Sequence, residues 1–312
     1  MTSARSVIRL GTRGSPLALI QTHEVRDRLI AAHPHLAAVG AIEVVVIQTS
    51  GDRVQDRPLA DIGGKGLFTK EIEEWLFDGR IDMAVHSMKD VPTWLPDGLA
   101  IACMLPRADP RDMFLGRDGK AFDAMPKGAV IGTASVRRQS QILNRRPDLR
   151  VIPFRGNVQT RLRKLDEGQA DATLLAKAGL DRLGLTLGTA LDPEDLLPAV
   201  AQGAIGVEIR ANDDYARQLL EPLDDRATTI AVDAERAVLA ALDGSCRTPI
   251  AALAAREGGA IHLRALVAMP DGTKLWRAER RTTDSDASRA GRDAGEELRR
   301  SAGDRIALLT GQ

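Results

Sequence analysis

Three groups of residues in this 312-residue chain have types and spacings suited to chemistry. The first is basic: Arg137, Arg138, Arg145, Arg146, Arg150, Arg155, Arg161, Arg163 and Lys164 crowd one stretch. Arg137 and Arg138 follow Thr133 and Ser135, in what reads as a first helical turn. Cations are disfavoured at that end of a helix, whose unpaired N–H groups are already positive, whereas an anion is welcome there. A solvated helix face is the other reading. The anion site is favoured because Arg13, before Ser15, repeats the arrangement at another helix start.

The second group is His86-Ser87-Met88-Lys89-Asp90-Val91-Pro92. Ser87 and Asp90 have the spacing of a capping box, but Val91-Pro92 keeps the backbone extended and blocks a helix. Asp90 is then a turn carboxylate paired with Lys89, or a group that stabilises a developing cation and moves a proton. The third group is the turn Gly244-Ser245-Cys246-Arg247-Thr248-Pro249. Arg247 favours a thiolate at Cys246. No histidine is close in sequence, which weakens a Cys–His hydrolase and leaves a nucleophile or an attachment point. Cys103, inside an apolar run, reads as core. Gly63-Gly64-Lys65-Gly66 lacks the spacing of a phosphate-binding loop and reads as a flexible loop with one basic tip.

Elements that must position these groups follow from periodicity. Strands are expected at 6–11, 42–48, 81–85, 99–105, 129–132, 151–154 and 173–176. Helices are expected at 15–32, 69–78, 133–146 and 158–167, the first with Ser15 as N-cap and Pro16 at the opening position. Strands alternating with helices imply an α/β fold with mostly parallel sheets. Leu76-Phe-Asp-Gly-Arg-Ile-Asp-Met-Ala-Val85 and Leu165-Asp-Glu-Gly-Gln-Ala-Asp-Ala-Thr-Leu174 share one order: helix end, Gly, two residues, Asp, strand. Chance is one explanation; the other is two α/β domains of one plan, with ligand outside the carboxyl ends of their strands. Beyond about residue 226 the pattern changes to a helix at 227–242, strands at 260–268 and 275–281, and a polar helix at 284–302, a small α+β domain.

Composition narrows the class. At about 100–200 residues per domain the chain holds two or three domains. It is 44% apolar and 3% aromatic, with 43 basic and 43 acidic residues. Zero net charge and scarce aromatics argue against a nucleic-acid binder. No apolar run approaches a membrane span, and Met1–Ile8 has no apolar signal core, so a cytoplasmic protein with no membrane partner is expected. Five scattered histidines and two distant cysteines give no metal-ligand spacing. The basic residues divide into 35 Arg and 8 Lys. GC-rich codons are the bland explanation; arginine's planar fork for carboxylates is the functional one.

Taken together, the motifs resemble the porphobilinogen deaminase (hydroxymethylbilane synthase) family over about residues 7–281. The resemblance rests on Thr12-Arg-Gly-Ser-Pro-Leu-Ala, Gly63-Gly-Lys-Gly-Leu-Phe, Ala84-Val-His-Ser-Met-Lys-Asp-Val-Pro, Asp109-Pro-Arg-Asp, Arg137-Arg-Gln, Arg155-Gly-Asn-Val-Gln-Thr-Arg, Leu174-Leu-Ala-Lys-Ala-Gly-Leu and Ala234-Glu-Arg-Ala, with Cys246 and Pro249-Ile250. It implies two lobes like those of type II periplasmic binding proteins plus a small α+β C-terminal domain. Domain 1 would span 1–105 and 204–221, domain 2 106–203 and domain 3 222–312. It further implies that four porphobilinogen molecules are joined head to tail, with loss of ammonia, on a dipyrromethane cofactor held by Cys246 through a thioether. Asp90 would be the catalytic carboxylate. Arg13, Ser15, Lys65, Phe68, Ser87, Lys89, Thr133, Ser135, Arg137, Arg138, Arg155, Gly156, Arg161, Arg182, Gln202 and Arg236 would bind cofactor or substrate, the arginines of both lobes gripping the acetates and propionates of the growing chain. A monomer is implied.

Ala134, Ala201 and Asp61 depart from the family's usual serine, glycine and basic residue, without removing a named catalytic group. A non-catalytic solute-binding protein of the same two-lobe plan is the competing reading. Such proteins are usually exported and need no third domain carrying a cysteine.

Overall fold

A computed structural model of the chain describes residues 7–53, 66, 68–244, 248–303 and 305. Lys65, Asp61 and Cys246 lie outside the described residues. In chain order the first elements are β1 (Ile8–Arg13), α1 (Pro16–Ala32), β2 (Ile42–Ile47), α2 (Ser50–Arg53), α3 (Lys70–Phe77), β3 (Met83–Ser87) and β4 (Leu99–Met104). Then follow β5 (Asp112–Gly116), β6 (Val130–Gly132), α4 (Val136–Arg145), β7 (Arg150–Ile152), α5 (Val158–Asp166), β8 (Ala172–Ala176), α6 (Lys177–Arg182) and β9 (Thr189–Ala190). The last are β10 (Ile205–Arg210), α7 (Asp214–Leu220), α8 (Arg226–Ala241), β11 (Ile250–Glu257), β12 (Ala260–Ala268), β13 (Leu275–Thr282) and α9 (Ala287–Ala302).

These elements pack as two units. One holds the described residues up to 53, those from 66 to 108, and 204–229; the other holds 109–203 and those from 230 onward. The chain thus crosses at 108/109 and 203/204, and the C-terminal elements group with the second unit. In the first unit the strand order is β2-β1-β3-β10-β4, with β1, β2 and β3 parallel and β10 antiparallel to both neighbours. In the second it is β7-β6-β8-β5-β9, with β6, β7 and β8 parallel and β5 antiparallel to both neighbours. Both sheets follow one plan: a parallel βαβαβ core, then an antiparallel strand. β10 and β5 were not among the expected strands, and each lies within a few residues of a crossing.

The repeated plan settles the sequence rhyme. In one unit the Asp82 carboxylate accepts from Arg9 N, while Asp82 N donates to the Arg9 carbonyl. In the other the Asp171 carboxylate accepts from Val130 N, while Asp171 N donates to the Val130 carbonyl. Each aspartate ties the start of the third parallel strand to the start of the first, so the shared spacing has a structural cause.

Apolar alternation places the cores. Ile8, Leu10, Met83, Val85, Ile205 and Val207 pack with Val25 and Leu29 of α1, and Ile47, Ile72, Leu76 and Ile81 pack separately. Phe114, Ile131, Ile142 and Leu174 fill the second unit's sheet. The antiparallel β11-β12-β13 sheet buries Ala251, Leu253 and Leu266 against Leu197. Cys103 is buried as expected, and burial pushes its thiol up to about 12.

Candidate active site

In the first unit Arg13 and the Asp90 turn lie at the carboxyl ends of the parallel neighbours β1 and β3. β1 ends in Arg13, and the Ser15 hydroxyl accepts from Ala18 N to cap α1, as its sequence predicts. After β3 the chain makes one 3₁₀ turn, Met88–Asp90, and Val91 is extended before Pro92. Ser87 does not cap that turn. Its hydroxyl donates instead to Gln21 Oε1 of α1 at 2.9 Å, so its proton already has an acceptor inside the protein. Lys89 is half-buried on the same turn.

Asp90 Oδ2 lies 3.9 Å from Arg13 Nη1, with the Asp90 side chain about one-third exposed at 34%. That separation is an ion pair, but longer than a hydrogen bond. The Arg13 guanidinium also lies over the Phe68 ring, 4.0 Å from its centroid. Stacking holds the cation in place while its edge points to the carboxylate. On β3, just before the Asp90 turn, His86 Nε2 meets Glu208 Oε2 of β10 at 2.9 Å, both side chains buried. Burial pushes the nearby Glu73 carboxyl above its ordinary value, and the Glu208 charge adds to that.

In the second unit Arg137 and Arg138 have internal partners. Ser135 caps α4 through Arg138 N, and the Thr133 hydroxyl accepts from Ser135 N, as the helix start requires. The two arginines, however, are buried rather than open clamps. Arg137 Nη2 donates to Asp112 Oδ2 at 2.8 Å and Arg138 Nη2 to Asp112 Oδ1 at 2.7 Å. Their Nη1 atoms donate to the carbonyls of Leu197 and Leu174. Gln202 Nε2 donates to Asp112 Oδ1 at 2.9 Å and to the Pro110 carbonyl at 2.7 Å. The reason is electrostatic: two guanidiniums at a positive helix end gain most from the nearest buried carboxylate. Burial alone would raise the Asp112 carboxyl, but both cations outweigh it and hold the group well below the usual carboxylate range. Two cations against one anion leave the cluster with one uncompensated positive charge.

Other predicted binding residues also have internal partners. Arg161 Nε donates to the Gly156 carbonyl and Arg182 Nη2 to the Gly203 carbonyl, and the Arg155 carbonyl accepts from Lys164 Nζ. Gly156 has φ +118, and a Cβ there would lie 2.5 Å from the Thr160 side chain. The loop presenting Arg155 therefore requires glycine. Gly156→Ala is expected to weaken retention of a carboxylate-bearing ligand more than it lowers the melting temperature, with calorimetry and ligand titration as the measurements. Arg236 is half-buried on α8 beside Glu235, which accepts from Ala201 N and Ala254 N. Ala201 has φ +59, which accounts for glycine being usual there.

Two donors stand out. Arg138 Nε and Arg155 Nη1 are buried without a hydrogen-bond partner among the described residues. Sequence reasoning missed Asp112, Glu208 and Glu235. The Asp109-Pro-Arg-Asp string gave a signal for Asp112 and the Ala234-Glu-Arg-Ala string one for Glu235, while Glu208 had none.

Comparison with known proteins decides the family. The family model "Porphobilinogen deaminase, dipyromethane cofactor binding domain" matches residues 8–218, and "Porphobilinogen deaminase, C-terminal domain" matches residues 229–300. The chain belongs to the porphobilinogen deaminase family. The chloroplastic porphobilinogen deaminase of Pisum sativum is 56% identical over 304 residues, covering 96% of this chain and 82% of that protein. The porphobilinogen deaminase of Paracoccus denitrificans is 54% identical over 301 residues, covering 96% of each chain. Among solved structures, an ancestral cationic amino acid solute binding protein covers 74% of this chain and 94% of its own, at 15% identity and a TM-score of 0.43.

Membership makes the chain a transferase of tetrapyrrole biosynthesis with a dipyrromethane cofactor. The residues fit that group. Its acetates and propionates would supply acceptors for Arg138 Nε and Arg155 Nη1, and its negative charge would offset the excess cation of the Asp112 cluster.

Proposed function

We propose that Asp90 is the catalytic carboxylate of a reaction that joins four porphobilinogen molecules head to tail into hydroxymethylbilane, releasing one ammonia per molecule added. The observation that carries this reading is the Asp90 turn itself: a one-third-exposed carboxylate at a strand end, with its cationic neighbour 3.9 Å away. Loss of ammonia from porphobilinogen leaves a cationic pyrrole. Asp90 faces that charge and can accept from the pyrrole N–H, an interaction that strengthens as the cation forms. The proton released when each new carbon–carbon bond forms leaves with the ammonia, and at release one water gives its hydroxyl to the product's terminal methylene and its proton to the primer carbon, so charge and atoms balance. Arg13, stacked on Phe68, sets a fixed positive charge 3.9 Å from the Asp90 carboxylate.

Held through a thioether on Cys246, the dipyrromethane supplies the free pyrrole carbon on which the chain starts. Arg155 and Arg138 take its carboxylates through the donors described above. Arg137, Asp112 and Gln202 hold Arg138 in place, and Arg161 with Gly156 shapes the Arg155 loop. Lys65, Lys89, Arg182 and Arg236 add positive charge, and Ser15, Ser87, Thr133 and Ser135 add local hydrogen bonds. A cytoplasmic monomer with no nucleic-acid or membrane partner, built as the three domains set out above, belongs to the same reading. Among the described residues, no helix is long and apolar enough to cross a membrane.

Incubation with porphobilinogen tests the reaction. Four ammonia molecules are expected per hydroxymethylbilane released. Binding of porphobilinogen without ammonia release would instead favour the solute-binding reading.

A further inference from the structure

β10 is a central strand whose residues Ile205, Gly206, Val207, Glu208 and Ile209 are all buried. A carboxylate there breaks the pattern of its own strand. Glu208 is fully buried, one oxygen meets His86, and Oε1 has no partner among the described residues. Stability does not account for it. Burying a carboxylate with half its acceptor capacity unfilled is costly, and a well-packed apolar pair in its place is often neutral or better.

Position does account for it. His86 stands opposite Gly206 in the β3–β10 register, and Glu208 lies two residues along on the same face. Met88 is the next residue of that face, and a Cβ on Gly206 would collide with its sulfur. Met88 N donates to the Ala204 carbonyl at 3.0 Å. Residues 204, 206 and 208 therefore receive, in order, the Met88 backbone, the Met88 side chain and the His86 side chain. Asp90 sits two residues beyond that anchor, and its ion pair with Arg13 is too long to fix its angle alone.

We propose that Glu208 is a positioning residue for the transferase reaction, acting through His86 on the turn that carries Asp90. This rests on the reading of Asp90 as the catalytic carboxylate. The test uses the cofactor-loaded enzyme, with loading checked by intact mass. Replacing both partners, His86→Leu with Glu208→Leu, removes the tether without leaving a buried charge. The kcat of this double variant is expected to fall on the order of 10²-fold, as for a displaced catalytic group, with KM for porphobilinogen little changed. Added to Asp90→Asn, the same pair is expected to cause no further loss. Two single variants carry the comparison if the pair does not fold. Glu208→Gln keeps the reach to His86 and is expected to be faster than Glu208→Asp, which keeps the charge but is one methylene shorter. A full rate in the folded, loaded double variant would overturn the proposal. So would an undiminished loss in the Asp90→Asn background, or Glu208→Asp matching Glu208→Gln. A normal rate in Asp90→Asn alone would remove the reading beneath it.

Discussion

Asp90→Asn is expected to lower kcat by about 10²–10⁴-fold, the range for losing one positioned acid–base or charge-stabilising group. Asparagine keeps the size and still accepts a hydrogen bond, but it carries no charge to set against a forming cation. Its effect should therefore fall on kcat and kcat/KM together, with porphobilinogen still bound. Single-turnover ammonia release separates chemistry from product release. The 3₁₀ turn and its anchoring do not depend on the Asp90 charge, so the melting temperature should barely move. A near-normal single-turnover rate would remove Asp90 from the chemistry.

Asp112→Ala is expected to have the largest effect on stability. It leaves two buried guanidiniums facing each other without their carboxylate and removes one acceptor of the buried Gln202 amide. Breaking one partner out of such a buried cluster costs about 3–5 kcal/mol. For a unit of this size that lowers the unfolding temperature by on the order of 10 °C. Calorimetry should show the loss, and an unchanged profile would contradict the cluster. Replacing all three charged groups together, by Asp112→Leu, Arg137→Met and Arg138→Met, should recover much of the stability but not the cofactor. The pH dependence has a definite sign. Because the folded-state value lies below the unfolded one, the contribution of Asp112 is present above the ordinary carboxylate range and is lost as pH falls. The strong depression carries that loss to more acidic pH than for ordinary carboxylates, so loosening of the second unit near their usual range must come from other groups.

Local signals were legible in the sequence. Ser15-Pro16 starts α1 where the cap chemistry places it, Val91-Pro92 stops the Asp90 turn, and β12 runs over the expected residues. Each depends on neighbours a few positions away. The antiparallel strands β5 and β10 depend on partners from distant segments, and their short apolar runs carry no distinguishing period. The same distance hid the chemistry of Arg137 and Arg138. Their anion is Asp112, 25 residues earlier than Arg137, so an Arg-rich stretch read alone appeared open to a ligand. Glu208 was hidden differently: a single carboxylate in an apolar run takes on meaning only when His86 is found across the sheet. The Gly-x-x-Asp rhyme was legible as spacing, but only the paired Asp82 and Asp171 hydrogen bonds give it a cause.

At the centre of the proposed reaction is a cationic binding site built around a covalently held, acid-bearing pyrrole primer, with Cys246 as the point of attachment. Intact-mass spectrometry of the purified chain, beside Cys246→Ser, tests it most directly. The unaltered chain is expected to exceed its sequence mass by one dipyrromethane, and the serine variant to match its sequence mass. An adduct that survives in Cys246→Ser, or an active chain with no added mass, would contradict it.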